Sequence, residues 1–355
     1  MVRVELSESD PVSSIGVKDH VYDPKNEIYI IMLEKSLEVD KIYEVLIPFK
    51  RKGSHRPRGY SIDQYEDTSQ NGQKYVVTQL GIADARSIFP CFDQIYMKAK
   101  FKIFLKHSEH FMAFSNTEKK TTKTVTDIAN YVEDEFTESP LMTTNNVAFA
   151  LIDSKYFKLL DLSVHGTIQL YAAETSVNNM YFAHTAFIQI MDFYSDYFNS
   201  RYALPTLKII ALPPGFVDGD EEKYGIITLP DSSIMFSNES SQDKVEIIKN
   251  ICHVMSHQWL GSYVTVSWWN IIWWHEAFVT VLEKPCLEYI LPETNVSFFD
   301  YQMVSTILAL LDYEVEAKPF TMLDFIYIEE KDEMELRKSA IFSKDSTDLS
   351  GQKLK

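Results

Sequence analysis

The sequence has few basic residues and no long apolar run, and each deficit argues against a class of protein. Its 355 residues include 34 lysines and arginines against 51 aspartates and glutamates, a formal net charge of -17. So acidic a chain repels the phosphate backbone, and we expect no nucleic-acid partner. No stretch approaches about 18 apolar residues, and the start, MVRVELSESDPVSS, is too acidic for a secretory signal. We therefore expect neither a membrane segment nor a signal peptide.

Cysteine is also scarce. Cys91, Cys252 and Cys286 are odd in number, lie far apart in the sequence and form no CxxC pair. A disulfide framework needs paired cysteines, and a thiolate zinc site needs closely spaced ones. We therefore expect neither, and we predict that the three side chains are buried thiols.

What is present is a hydrophobic content of 45%, which can supply a core for one large domain or two of medium size. From about residue 20 to about residue 165, short β-rich runs such as KYVVTQL and TIQLYAA alternate with turn residues, which predicts an antiparallel sandwich or saddle. From about residue 177, apolar residues recur at helical intervals. We predict an α+β fold with an N-terminal antiparallel β domain at residues 1–160 and a mainly helical domain at residues 161–355.

A candidate metal site lies in the second half of the chain. The segment SQDKVEIIKNICHVMSHQWLG, residues 241–261, has the caps and periodicity of a helix, so His253 and His257 share one face and can bind one metal ion. Glu276, on a second predicted helix, would complete a His, His, Glu set with one position left for water. The HxxxH pattern alone is weak, since helical histidines are more often packed or solvated than metal ligands.

Four further blocks occur in one order along the chain. They are TQLGIADARSIFPCFD at residues 78–93, SPLMTTNNVAFAL from residue 139, GDEEKYGIIT at residues 219–228 and DYEVEAKPF at residues 312–320. With the histidine pair and Glu276 after 18 further residues, they resemble the M1 family of zinc aminopeptidases, the gluzincins typified by aminopeptidase N. The resemblance implies an N-terminal β domain, incomplete at its start, and a thermolysin-like peptidase domain truncated at its C-terminal end. It also implies one zinc ion on His253, His257 and Glu276.

The resemblance implies substrate-binding residues as well. Glu222, in the loop that begins at Gly219, stands where the family's glutamate captures the free α-amine of a peptide. Gln79 stands where a glutamine lines the pocket for the first side chain. An alternative stays open, in which Glu222 is an ordinary solvated acid in the charged run DGDEEK.

Three positions depart from the family's catalytic pattern. Val254 stands at the general-base position and cannot accept a proton. Leu336 stands at the position of the tyrosine that stabilises the oxyanion, and leucine donates no hydrogen bond. Lys223 replaces an asparagine beside Glu222, where we expect its ammonium to compete with a peptide amine. No intact catalytic set is therefore predicted.

We predict an M1 metallo-aminopeptidase homologue, a zinc-binding scaffold for peptide N-termini that is catalytically impaired or inactive. Its expected partners are peptide N-termini or a related M1 subunit. Two alternatives stay open. One is an active zinc aminopeptidase that uses another base, such as Glu222, Asp220 or a water relay; the other is a metal-free protein-interaction module whose histidines are core residues. The family includes cytosolic and cell-surface enzymes, so the resemblance assigns no localisation.

Overall fold

A computed structural model describes residues 3–6, 13–50, 59–65, 73–81, 83–160, 166–213, 219–236 and 241–292. Elements are numbered in chain order. The first strands are β1 (Arg3–Leu6), β2 (Ser13–Ile15), β3 (Val17–Asp23), β4 (Ile28–Leu33), β5 (Tyr43–Leu46), β6 (Gly59–Tyr65), β7 (Gln73–Gln79), β8 (Phe104–Ser108) and β9 (Phe111–Ser115). The remaining strands are β10 (Lys119–Thr124), β11 (Tyr131–Phe136), β12 (Phe149–Asp153), β13 (Phe157–Leu160), β14 (Ile168–Ala173), β15 (Leu207–Leu212), β16 (Glu221–Lys223) and β17 (Ile226–Pro230). The α-helices are α1 (Tyr181–Tyr197), α2 (Ser241–Ser256) and α3 (Ile272–Ile290).

The chain divides into two compact units, residues 1–3 with 44–294 and residues 4–43 with 295–355. In the second unit, β3 and β4 form an antiparallel pair. Asp23 ends β3, and its carboxylate accepts hydrogen bonds from the backbone N–H groups of Lys25 and Asn26, which stabilise the turn. The predicted domain boundary at residue 160 lies inside the first unit and stays a prediction.

Antiparallel sheets form the β-rich part of the first unit. One has the strand order β6-β7-β12-β9 and another the order β10-β11-β8. Along β12, Ala150 and Ile152 are fully buried and alternate with less buried residues, and they pack with Tyr75, Val77 and Phe114 in one hydrophobic cluster. A period of two is what a sheet with one covered face requires. The antiparallel β region predicted from the sequence is confirmed.

A mixed sheet of order β13-β14-β15-β17-β16 leads into the helical region. Its middle strand β15, LKIIAL, is buried at every position, as expected of an apolar run covered on both faces. Lys208 is the one charged residue of this strand, and its Nζ donates hydrogen bonds to the carbonyl oxygens of Ser115 and Asn116. At the edge of the sheet, β16 pairs antiparallel with β17, with Glu222 opposite Ile227. The predicted candidate amine-binding residue therefore lies on an edge strand.

Three α-helices of the described residues pack together beside this sheet, with α2 in contact with both α1 and α3. The phenol of Tyr194 on α1 donates to the carbonyl oxygens of Cys252 on α2 and Leu282 on α3, at 2.9 and 3.4 Å. This bridge fixes the spacing of α2 and α3. The α+β prediction is confirmed, and among the described helices none is long and apolar enough to cross a lipid bilayer.

The prediction of three separate thiols is wrong for two of them. Cys252 on α2 and Cys286 on α3 form a disulfide, with their Cα atoms 6.0 Å apart. The sequence did not indicate this disulfide, because the two cysteines are far apart in the chain and meet only when the helices pack side by side. Cys91 is a free thiol, and burial, together with the nearby charge of Asp93, raises its pKa to about 12.

Candidate metal site and its cavity

The last turn of α2 brings the two predicted histidines together. His253 lies four residues before His257, which follows the end of the helix, and their ring centroids are 5.1 Å apart. The side chain of His257 is buried, whereas that of His253 is 29% exposed. Both rings line one wall of a cavity.

A carboxylate that the sequence did not single out orients His253. Glu283 on α3 is buried, and its Oε1 lies 2.8 Å from Nδ1 of His253. A carboxylate at Nδ1 favours the tautomer that leaves Nε2 with a free lone pair, as in many metal-binding histidines. Although burial lowers the pKa of His253, the hydrogen bond and charge of Glu283 and the charges of Glu222 and Glu276 together raise it above the ordinary value. Glu283 lies seven residues after Glu276, two helical turns along the same face, which is the signal that could have identified it.

The surroundings of His257 disfavour its protonated form. Burial and the neighbouring His253 and His275 lower its pKa well below the ordinary value. Its Nε2 lies 3.7 Å from Oε2 of Glu276, whose side chain is 50% exposed. This pair joins the end of α2 to the first turns of α3.

Glu222 approaches the histidines from β16. The ligand atoms of Glu222, His253 and His257 all lie within 4.8 Å of one another. Burial raises the pKa of Glu222 to about 7, and the nearby positive charges of Lys223 and His253 partly offset that effect. The amine-binding role of Glu222, which the resemblance implies, stays a prediction, and the structure places this carboxylate beside the histidines.

Lys223 does not lie against the Glu222 carboxylate as expected. Its ammonium donates to the carbonyl oxygen of Leu80 at 2.7 Å and forms an ion pair with Glu221 at 3.1 Å. Neighbouring residues of a strand point to opposite sides, so consecutive positions 222 and 223 cannot face the same group. The lysine acts on Glu222 through its charge, and its hydrogen bonds are made elsewhere.

Gln258, next to His257, ties the strand to the helix. Its side-chain oxygen accepts hydrogen bonds from Gly225 N–H and the Tyr202 hydroxyl, and its amide nitrogen donates to the Lys223 carbonyl. These bonds hold the β16–β17 turn against the end of α2. The buried amide of Gln258, which sequence analysis did not select, therefore helps to position Glu222 relative to the histidines.

The remaining predicted site residues lie elsewhere. Gln79 is buried at the end of β7, and Gly219 is exposed with φ +147°; neither is among the described residues that line the cavity. Val254 is fully buried and does not line it either. Leu336 lies outside the described residues. The roles assigned to these positions stay predictions.

The cavity has a volume of about 860 Å³ and an acidic wall. The lining residues include two imidazoles and one lysine, Lys249. The ammonium of Lys249 lies 3.9 Å from the carboxylate of Glu283. Its carboxylates are Asp220, Glu222, Glu246, Glu276 and Glu283. An excess of carboxylates around imidazoles suits a cation or an ammonium group.

The three predicted ligands, His253, His257 and Glu276, do not form one group in the described part of the chain. They belong to two groups of possible metal ligands that share His257. Glu222, His253 and His257 form one group; His257, His275 and Glu276 form the other, and in each the ligand atoms lie within 4.8 Å of one another. His275 was missed, although it stands next to Glu276 in the sequence. Either group can supply three protein ligands of the types that zinc binds.

Comparisons with known proteins relate both halves of the chain to one peptidase family. Residues 1–145 match the model of the Peptidase M1 N-terminal domain, and residues 182–336 match that of the Peptidase family M1 domain. The chain is 31% identical over 278 residues to endoplasmic reticulum aminopeptidase 2 of Bos taurus, covering 76% of this chain and 28% of that protein. It is likewise 31% identical over 278 residues to aminopeptidase N of Rattus norvegicus, covering 77% and 28%. The chain thus spans a little over a quarter of the length of these relatives.

Proposed function

Since this chain belongs to peptidase family M1, we propose that its acidic cavity binds one zinc ion and the N-terminus of a peptide, with impaired or absent hydrolysis. The observation that carries the proposal is the convergence of His253, His257, Glu222 and Glu276 on one cavity wall. Zinc binding, peptide binding and the loss of hydrolysis are each supported by a different feature of the cavity and its surroundings.

The residues present fit zinc. Two donors of a tetrahedral zinc ion are about 3.4 Å apart, because each bond is about 2.0–2.1 Å long. The 3.7 Å between His257 Nε2 and Glu276 Oε2 is close to that separation. The hydrogen bond of Glu283 to His253 supplies the orienting contact that metal-ligating histidines usually have. A bound zinc ion would act as a Lewis acid at this wall.

The cavity also suits a peptide N-terminus. Its volume of about 860 Å³ exceeds what one ion needs and lies in the range of organic-ligand sites. Glu222 stands on the edge strand β16, within 4.8 Å of the histidines, so a peptide amine bound to it would place the first residue beside the metal. A related M1 subunit, the other predicted partner, stays a prediction.

Hydrolysis needs a group that takes a proton from water, and general-base catalysis contributes about 10²- to 10⁴-fold. Val254 follows His253 but is an apolar side chain with 0% exposure. It can neither accept a proton nor contact a molecule in the cavity. This absence of a base at position 254 is the reason that we propose an impaired or inactive enzyme.

The test combines metal analysis, hydrolysis and peptide binding on one purified sample. We expect one zinc per chain, no zinc-dependent hydrolysis of an aminoacyl amide, and tighter binding of a peptide with a free amine than of its N-acetylated copy. Glu222→Gln should remove the preference for the free amine. Glu246→Gln, an exposed carboxylate lining the same cavity, is the matched control and should retain it. Equal binding of the two peptides would overturn the peptide proposal.

A second candidate is an active aminopeptidase in which Glu222 takes the part of the base. The observation in its favour is the position of this carboxylate, within 4.8 Å of the ligand atoms of His253 and His257. In that case the unmodified protein hydrolyses an aminoacyl amide, chelation stops the reaction, and Glu222→Gln abolishes it. Val254→Ala leaves the rate unchanged. These results would overturn the proposal of an impaired or inactive enzyme.

A further inference from the structure

A disulfide lies directly beside the candidate metal site. Cys252 precedes His253 on α2, and Cys286 follows Glu283 by three residues on α3. We propose that this disulfide is a redox switch for the metal: the oxidised form holds the ligands in place, and reduction to two thiols weakens zinc binding. The inference rests on the proposed function, since it concerns the affinity of the same zinc ion.

The disulfide fastens the contact that orients His253. Nδ1 of His253 lies 2.8 Å from Oε1 of Glu283, and the neighbouring Cys252 is bonded to Cys286. Residues three apart share a face of a helix, so Glu283 and Cys286 present adjacent positions of α3 to α2. The covalent bond and the hydrogen bond therefore join the same two helical turns. Reduction of the disulfide removes a restraint on the hydrogen bond.

Other polar links between α2 and α3 near the site are weaker than the disulfide. The Tyr194 hydroxyl lies 2.9 Å from the Cys252 carbonyl oxygen and 3.4 Å from that of Leu282, but a phenol has a single proton to donate. Lys249 lies 3.9 Å from Glu283, and so long a partly exposed ion pair contributes little. Buried apolar residues of both helices keep their packing after reduction. We therefore expect α2 and α3 to stay together at a looser spacing.

A looser spacing affects the metal because the candidate ligands come from both helices. His253 lies on α2 with His257 just after its end, and Glu276 lies on α3. A ligand set divided between two elements keeps its geometry only while the elements keep theirs. Contacts that orient metal-binding histidines are worth about 10- to 100-fold in metal affinity. We therefore expect reduction to weaken zinc binding by about tenfold or more.

The sulfur–sulfur bond is buried, which links its reduction to the metal. Cys252 and Cys286 both have 0% exposure, so a reductant reaches them only when α2 and α3 separate. A dithiol acts by two exchange steps through a mixed disulfide; it becomes a disulfide itself, and its two protons end on Cys252 and Cys286. A zinc ion that bridges the helices opposes their separation. By linkage, zinc favours the disulfide by the same factor by which reduction weakens zinc binding.

The test is zinc affinity of the whole protein, measured by chelator competition before and after reduction. A phosphine is the suitable reductant, because it supplies no thiolate ligand for zinc; it takes an oxygen atom from water, whose two protons end on the sulfurs. We expect the unmodified protein and Cys91→Ser to lose about tenfold or more in affinity on reduction. The double variant Cys252→Ser, Cys286→Ser should have the lower affinity from the start and should not respond to the phosphine.

Glu283→Gln tests whether the disulfide acts through His253. This variant removes the carboxylate that faces His253 and keeps the disulfide, so its zinc affinity should be low in both redox states. Residues of one contact network are not additive, and reduction should therefore change its affinity by less than in the unmodified protein. Glu288→Gln is the matched control on α3. The Glu288 side chain is 56% exposed and lies 3.8 Å from Lys284, and this variant should keep the full response to reduction.

Three outcomes separate the inference from the proposed function. Equal zinc affinity of the oxidised and reduced protein overturns the inference and leaves the proposed zinc site intact. Unfolding of the whole protein on reduction, seen as loss of its far-ultraviolet circular dichroism signal, also overturns it, because the disulfide would then support the fold instead of the site. Absence of zinc binding in either redox state means that the proposed function itself fails.

Discussion

At the scale of single residues, position 254 separates metal binding from catalysis. Val254 is one residue after His253, yet a rotation of about 100° along the helix turns its side chain away from the cavity and into the core. Replacing a non-ligand residue leaves both imidazoles able to bind metal. The proposed loss of proton transfer at position 254 is therefore compatible with a metal site that persists.

Val254→Glu is expected to restore little or no hydrolysis and to lower thermal stability. A carboxylate at a fully buried position is costly unless it is paired, and more costly than a neutral amide of the same size. Val254→Gln is therefore the control, and it should unfold at a higher temperature. Thermal unfolding and aminoacyl-amide hydrolysis are the measurements. A rate of about 1 s⁻¹ or more for Val254→Glu would show that position 254 was the only catalytic defect.

Rescue by several substitutions should be more than additive, because groups that act in one transition state depend on one another. Leu336→Tyr is the natural addition, although residue 336 lies outside the described residues. Lys223→Asn is a poor addition, since the ammonium binds the Leu80 carbonyl and Glu221 and its removal leaves a buried carbonyl without that donor.

At the scale of elements, the disulfide joins the two helices that carry the candidate ligands. Cys252 precedes His253 on α2, and Cys286 lies on α3 beyond Glu283. The bridge closes a loop with a sequence separation of 34 residues. Chain-entropy arguments assign such a loop about 3–4 kcal/mol of stabilisation. The spacing of α2 and α3 is thus set by a covalent link as well as by packing.

Replacement of Cys286 by serine is expected to lower the free energy of unfolding by about 3 kcal/mol. Denaturant unfolding measures the change, with Cys91→Ser as the control that leaves the disulfide in place. Titration of the denatured, unreduced protein should find one free thiol. Three free thiols in protein purified without reductant would contradict the disulfide.

A second element-scale feature is the buried carboxylate of Asp134 in the sheet of β8, β10 and β11. It accepts hydrogen bonds from Thr122 at 2.5 Å, Lys119 at 3.0 Å and His107 at 3.1 Å. Burial raises its pKa, but these hydrogen bonds lower it by more, and the net pKa lies below the ordinary value. Asp134 thus links three strands through its ionised form.

Asp134→Asn is expected to lower the free energy of unfolding by about 2 kcal/mol near neutral pH. Hydrogen bonds to charged groups typically contribute about this much to stability. A group whose pKa is lowered by folding stabilises above its unfolded pKa, about 3.9. The contribution is lost as the pH falls through the lower folded value. The difference between Asp134→Asn and the unmodified protein should therefore shrink below about pH 4.

Urea unfolding across this pH range is the measurement. Glu133→Gln is the matched control, because Glu133 is more exposed and its ion pair with Lys106 is 3.9 Å long. Such a pair contributes about 0–1 kcal/mol. A difference for Asp134→Asn that stays constant with pH would show that folding does not lower the pKa of this carboxyl group.

At the scale of the whole molecule, metal binding and folding should be linked. The candidate ligands come from β16, α2 and α3, which lie far apart in the sequence and meet only in the folded chain. A ligand that binds only the folded state stabilises it by about 2.7 kcal/mol at a hundredfold excess over Kd. Zinc would therefore raise the stability of the first unit as a whole.

We expect chelation to lower the thermal midpoint and zinc to restore it. Magnesium added at the same concentration should have no such effect, because the ligand set is rich in imidazole. Glu276→Gln, a half-exposed position, should weaken the response to zinc without disturbing the core. Differential scanning calorimetry provides the measurement. A midpoint that does not respond to chelation would argue against a structural or catalytic zinc ion.

The sequence alone predicts the β-rich region followed by helices, and the helix that carries His253. This helix was predicted to reach residue 261 but ends at Ser256, so His257 follows it. Alternation along strands such as β12 and apolar spacing along α1 and α2 are patterns that act over a few residues each. The four sequence blocks likewise identified the family, as the comparisons confirm. Local patterns suffice for these features because secondary structure is decided largely by neighbours in the chain.

Only the tertiary structure decided which side chains share the cavity. His275, Glu283, Gln258 and the Cys252–Cys286 disulfide escaped sequence reasoning, and the direction of Lys223 was expected wrongly. Each depends on how α3 packs on α2 or on which side of β16 a residue faces. Spacing along the chain specifies the face of an element on which a residue lies. It does not specify what packs opposite that face, because contacts between elements arise from burial of their apolar surfaces against one another.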